Sequence, residues 1–66
     1  MIVTASYLGK ESRLELGAGS TIRDLFAGIN VNSETVLARN GNDIVPDTEK
    51  LKEGDRVEVL RVVSGG

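Results

Sequence analysis

The chain has 66 residues, 39% apolar and 27% charged, with no cysteine and no histidine; disulfides and thiol chemistry are excluded, and a zinc site would have to use carboxylates alone. Its formal charge is −2, both signs are spread along it and no basic stripe forms, so direct nucleic-acid binding is not expected. No apolar run approaches a membrane span and no leader-like segment is read at the start, so the expectation is one small cytoplasmic domain with no membrane contact.

Residues 1–8 (MIVTASYL) are rich in β-branched and aromatic residues and read as a strand. Gly9-Lys10 is a turn candidate. Residues 12–16 (SRLEL) alternate polar and apolar and give a second strand, so the two form an N-terminal hairpin. After "GAGS", Ile22, Leu25, Phe26 and Ile29 fall at i, i+3, i+4 and i+7, the apolar stripe of a helix. Thr21 and Asp24 have capping-box spacing, with Ser20 as the competing N-cap. Gly28 near its end predicts a helix of roughly two turns.

Residues 35–39 (TVLAR) read as a third strand. Asn40-Gly41 signals a tight hairpin turn. Residues 43–45 (DIV) are a short fourth strand stopped by Pro46, the single proline. A loop follows, with one helical turn expected around Thr48–Leu51. Residues 56–63 (RVEVLRVV) form the last strand. The β-β-α-β-β-β order defines an α+β domain over residues 1–63, a mixed sheet of about five strands packed on one main helix. The expected core is Ile2, Leu14, Leu16, Ile22, Leu25, Phe26, Leu37, Leu51, Val57 and Val59.

Catalytic chemistry is hard to place. Without His or Cys there is no Ser-His-Asp or Cys-His constellation, and the acids are scattered. "GAGSTIRD" fits neither a dinucleotide-binding fingerprint nor a Walker A loop, and reads as a strand-to-helix connection.

The last strand departs from simple patterning. Val57 and Val59 alternate with Arg56 and Glu58, but Leu60 and Val62 then fall on the Glu58 side, the side expected to meet water. Buried on both faces, they are a strand end; left exposed, they are a docking patch. Val36 and Ala38, of opposite parity to Leu37, are expected to join it. Behind the strand come Ser64, Gly65 and Gly66, a separate C-terminal arm over 64–66. Two glycines without Cβ atoms can thread a narrow channel in another protein and present a bare carboxylate. Adenylation would make that carboxylate an acyl donor to sulfur or to an amine. An inert tail on an interaction module is the alternative from another class.

Over "NGNDIVPDTEKLKEGDRVEVLRVVSGG" the chain resembles the β-grasp, ubiquitin-like sulfur carriers: the ThiS and MoaD families and the small archaeal modifier proteins. The Asn-Gly turn, "IVP", "L-x-x-GD-x-V" and the Gly-Gly end occur in the order expected there. The resemblance implies a carrier that is not itself an enzyme. Gly66 would be adenylated by a ubiquitin-activating-like adenylyltransferase using ATP and magnesium, then converted to a thiocarboxylate. Ser64 and Gly65 would thread the enzyme. Leu60, Val62, Val36 and Ala38 would meet partners, and the free chain would be a monomer. The acceptor would be a tRNA thiolase, thiazole synthase or the molybdopterin synthase large subunit. MoaD-like tails carry a proline that "LRVVSGG" lacks, which speaks against the last. Lys10, Lys50 and Lys52 are the candidate acceptors of isopeptide bonds, and otherwise ordinary surface lysines.

Overall fold

A computed structural model describes residues 1–62, so the expectations for Val63 at the end of the last strand and for Ser64, Gly65 and Gly66 fall outside the described residues. The elements are β1 (Ile2–Tyr7), β2 (Lys10–Glu15), α1 (Ile22–Gly28), β3 (Val36–Asn40), β4 (Asp43–Val45) and β5 (Arg56–Arg61). They build one five-stranded sheet in the order β2-β1-β5-β3-β4. β1 and β5 run parallel in its middle, and the other neighbours pair antiparallel. No helix among the described residues is long and apolar enough to cross a membrane.

The helix begins where the sequence places it. The Thr21 N–H donates to the Asp24 carboxylate at 2.8 Å, and the Thr21 hydroxyl donates to the same oxygen at 3.3 Å. The next two N–H groups, which a helix leaves without internal partners, are taken up from outside. Ile22 N–H donates to the Glu49 carbonyl and Arg23 N–H to the Asp47 carbonyl, both at 2.9 Å. Residues 47–49 are therefore a cap on α1. Instead of the expected helical turn, this segment makes a turn closed by Glu49 N–H on the Pro46 carbonyl at 3.0 Å, and Lys50 bridges back to Thr21.

The helix also ends by a defined device. Asn30 is left-handed, with φ 61. Its N–H donates to the Ala27 carbonyl at 3.2 Å, and that of Val31 to the Phe26 carbonyl at 3.0 Å. This is the Schellman pattern, with Asn in the place glycine usually fills. The stop signal is thus Asn30, and Gly28 is the last helical residue.

Both hairpins are two-residue loops. In the first, Leu8 and Gly9 have φ 51 and 77, the pair of positive values of a type I′ turn. In the second, Asn40 pairs with Asp43, so the loop is Gly41-Asn42, not Asn40-Gly41. Gly41 alone has positive φ there, 68, as a type II′ turn requires.

The core lies between α1 and one face of the sheet. Val3, Ala5, Ile22, Leu25, Phe26, Val36, Ala38, Leu51, Val57 and Val59 are buried. Leu14 and Leu16 pack against it while remaining partly exposed. Two sequence expectations are corrected. Val3 and Ala5, not Ile2, point inward from β1. On β3, Val36 and Ala38 are 5% and 2% exposed, while Leu37 is 46% exposed. Val36 and Ala38 are thus core residues, not outward ones. The reason is register: Ala38 lies opposite Val59 and Leu37 opposite Leu60, and residues facing each other across a ladder share a face.

Candidate docking face and C-terminal arm

The sheet face turned away from α1 is assembled by three pairings. β5 places Glu58 and Leu60 on it, opposite Arg39 and Leu37 of β3. β4 adds Ile44, opposite Arg39 on the other side. The parallel pairing of Tyr7 with Val59 brings the β1–β2 turn to the same end of the sheet as Leu60. Leu8, at that turn, is 66% exposed; Ile44 is 54% and Val62 43% exposed. Leu60 is half-buried, yet it is not one of the residues packed on the core.

Leu37 and Leu60 thus form a cross-strand apolar pair open to solvent, with Ile44 further along the same face and Val62 past the end of β5. The Arg39–Glu58 ion pair bounds the pair on one side. Beyond it the face turns polar, with an open depression among Ser6, Glu11, Arg39, Asp55, Arg56 and Glu58. Both ion pairs there, Arg39–Glu58 and Arg56–Glu11, are between exposed side chains and add little to stability.

β5 is central in the sheet and paired on both sides. Past its end, the Val62 N–H still donates to the Thr35 carbonyl at 2.9 Å. Val62 therefore lies beside the apolar pair. Of the sequence-derived site residues, Leu60 and Val62 lie on or beside this face, and Val36 and Ala38 lie beneath it. Leu8, Leu37 and Ile44 were missed. Leu37 had a usable cue, because Arg39 shares its parity and a charge marks the solvent side. Leu8 had none, since an exposed leucine with φ 51 is unfavourable, and a three-residue strand shows too little alternation to orient Ile44. Lys10, Lys50 and Lys52 are all exposed and scattered. Among the described residues no cluster of acids could hold a metal.

A mixed five-stranded sheet wrapped on one helix, with the last strand central, is the β-grasp, ubiquitin-like arrangement. Solved structures agree. An ubiquitin from Caldiarchaeum subterraneum matches 100% of this chain and 98% of its own at TM-score 0.73 and 18% identity. A putative molybdopterin converting factor subunit 1 from Pyrococcus furiosus matches 94% and 98% at TM-score 0.76 and 24% identity. At such identities the likeness is one of fold. The ThiS family model matches residues 3–66, and the chain belongs to the ThiS family. A curated relative, the sulfur carrier protein TtuB of Thermus thermophilus, is 29% identical over 59 residues, covering 89% of this chain and 91% of that protein.

Proposed function

We propose that this sulfur carrier of the ThiS family bears its sulfur as a thiocarboxylate on Gly66. The Gly66 carboxylate attacks the α-phosphate of ATP on an activating enzyme, with magnesium, and pyrophosphate leaves. A sulfide-level nucleophile then attacks the acyl carbon of the adenylate and expels AMP. The chain supplies no catalytic group; its part is to be held while a partner does the chemistry. The open Leu37–Leu60 pair, with Leu8, Ile44 and Val62 around it, supports this reading most directly. An apolar cluster of this kind marks a partner site, and it sits at the root of the segment that carries the reactive end.

The adenylyltransferase grips this face, Ser64 and Gly65 thread its channel, and the same face later meets the acceptor. That acceptor is a tRNA-thiolating enzyme or, in the second branch, thiazole synthase; the missing proline argues against molybdopterin synthase. An amine attacking the adenylate instead would give an amide, so exposed Lys10, Lys50 and Lys52 are the acceptor sites if chains form. The ATP consumed in the adenylation step supports a cytoplasmic carrier. The test is ATP–pyrophosphate exchange with the cognate activating enzyme, followed by intact mass. Exchange of one oxygen for sulfur at the activated carboxyl adds ~16 Da. A chain that never supports exchange, or never gains sulfur or a lysine conjugate, is an interaction module with an inert tail.

A further inference from the structure

β2 forms one edge of the sheet and β4 the other. An edge strand offers unpaired backbone groups to any other strand, and proteins blunt such edges. β4 is blunted by its three residues and by Pro46 behind it. β2 is six residues long, carries no proline, and pairs with β1 through six consecutive positions without a bulge. Among the described residues its only protection is charge, and those charges alternate in sign.

The free groups follow from the β1–β2 ladder. Leu16 N–H donates to the Met1 carbonyl at 2.8 Å, and the Met1 ammonium donates to the Leu16 carbonyl at 2.7 Å. Met1–Leu16 is thus a hydrogen-bonded pair. Because antiparallel pairs alternate, the backbones of Lys10, Ser12 and Leu14 also face β1. Those of Glu11, Arg13 and Glu15 face outward, and their side chains lie on the outer face in the series minus, plus, minus.

We infer that β2 pairs antiparallel with β2 of a second copy of this chain, about a two-fold axis through Leu14. An axis perpendicular to the sheet keeps the outer faces of both copies on one side, so only residues of like parity meet. With the axis at Leu14, Arg13 of each copy faces Glu15 of the other in a hydrogen-bonded pair. Leu14 then faces Leu14 in the intervening non-hydrogen-bonded pair, where side chains come closest. Leu14 gains cover, being partly exposed and backed by Gly28: a Cβ at that glycine would lie 3.3 Å from Leu14 Cδ1. An axis at Arg13 would oppose Arg13 to Arg13 and Glu11 to Glu15. An axis at Ser12 would set Lys10 against Leu14 and carry Glu15 onto Gly9, where φ 77 ends the extended backbone.

A single strand-to-strand contact falls below the ~1,200 Å² that marks weak encounters. The chain is therefore a monomer in dilute solution and associates toward ~1 mM. This inference stands apart from the sulfur chemistry. Since the chain has no native cysteine, single cysteines report cleanly. Leu14→Cys should form a disulfide-linked dimer under mild oxidation, because its pair would have Cα atoms ~4.5 Å apart. Ser12→Cys should not, since the two copies' position 12 would lie roughly 13 Å apart. In sedimentation, Arg13→Glu should raise the dissociation constant about tenfold. Adding Glu15→Arg should restore it. The inference is overturned if the unaltered chain stays monomeric at ~1 mM, which leaves the edge to another protein. It is also overturned if Ser12→Cys links as readily as Leu14→Cys, or if the charge swap fails to restore association. Should Leu14→Cys lose its fold by circular dichroism, the charge variants decide alone, since both positions are exposed.

Discussion

Replacing Leu37 with aspartate separates the docking face from the core. In the free chain 46% of Leu37 is exposed, so docking hides roughly half of a side chain whose full burial is worth ~1.5–3 kcal/mol, or ~1 kcal/mol. An aspartate there must also be desolvated without a partner, which costs a further ~2 kcal/mol or more. The sum, ~3 kcal/mol, corresponds to a ~100-fold rise in the concentration needed for activation. Stability should fall by only ~1 kcal/mol, because aspartate on this half-open face stays hydrated. Val36→Asp, one residue away and 5% exposed before substitution, makes the contrast. It puts an unpaired charge under α1, and a domain of this length has only ~3–10 kcal/mol to lose, so the variant should not fold. The assays are ATP–pyrophosphate exchange as a function of carrier concentration and thermal melting by circular dichroism. A folded Leu37→Asp protein with unchanged exchange refutes the docking face. A folded Val36→Asp protein beside an unfolded Leu37→Asp protein refutes the β3 register.

Deleting Gly66 should abolish exchange, because the carboxyl carbon withdraws by ~3.5 Å while misplacement by ~1 Å already costs ~100-fold. Extending the chain past Gly66 should abolish it too, by turning the carboxylate into an amide; persistent exchange in either variant would show that the end is not the reactive group. Asp24→Ala removes the acceptor of the Thr21 N–H and should cost ~1 kcal/mol, a fall of ~4–8 °C in melting temperature, with exchange unaffected in the folded protein. Gly41→Ala imposes a Cβ at φ 68 and should cost ~1–2 kcal/mol without a clash, since nothing lies within 4 Å of that Cβ; an unchanged melting temperature would mean that the turn is not held in this form.

The order of elements, the helix and its N-cap were legible because each rests on local chemistry. The Ile22-Leu25-Phe26 stripe and the Thr21–Asp24 spacing need no knowledge of the rest of the chain. Strand orientation was not legible in the same way. In "MIVTA" and "TVLAR" both parities hold apolar residues, and choosing the bulkier one for the core put Ile2 and Leu37 inside. The sheet chose the smaller residues instead: Ala5 and Ala38 flank Val57 and Val59 in the ladders under α1, where β5 is paired along both edges. Size is a poor guide to facing when both parities of a strand are apolar. The charged neighbour, Arg39, was the better one.

The same facing choice bears on the proposed role of β5 as the base of a reactive arm. Its inner residues, Val57 and Val59, are 0% and 4% exposed and lie in register with both β1 and β3, so the strand cannot slip without turning its core residues to solvent. Its outer residues are then free to differ from a core pattern. Glu58 is tied to Arg39, and Leu60 is left open beside Leu37. If a partner enzyme locates the C-terminal carboxyl carbon by gripping this face, as proposed, the end of β5 must be fixed relative to the surface the partner reads. A central strand with a pinned register and an apolar outer end supplies both the fixed reference and the grip. An edge strand such as β4, three residues long, would supply neither.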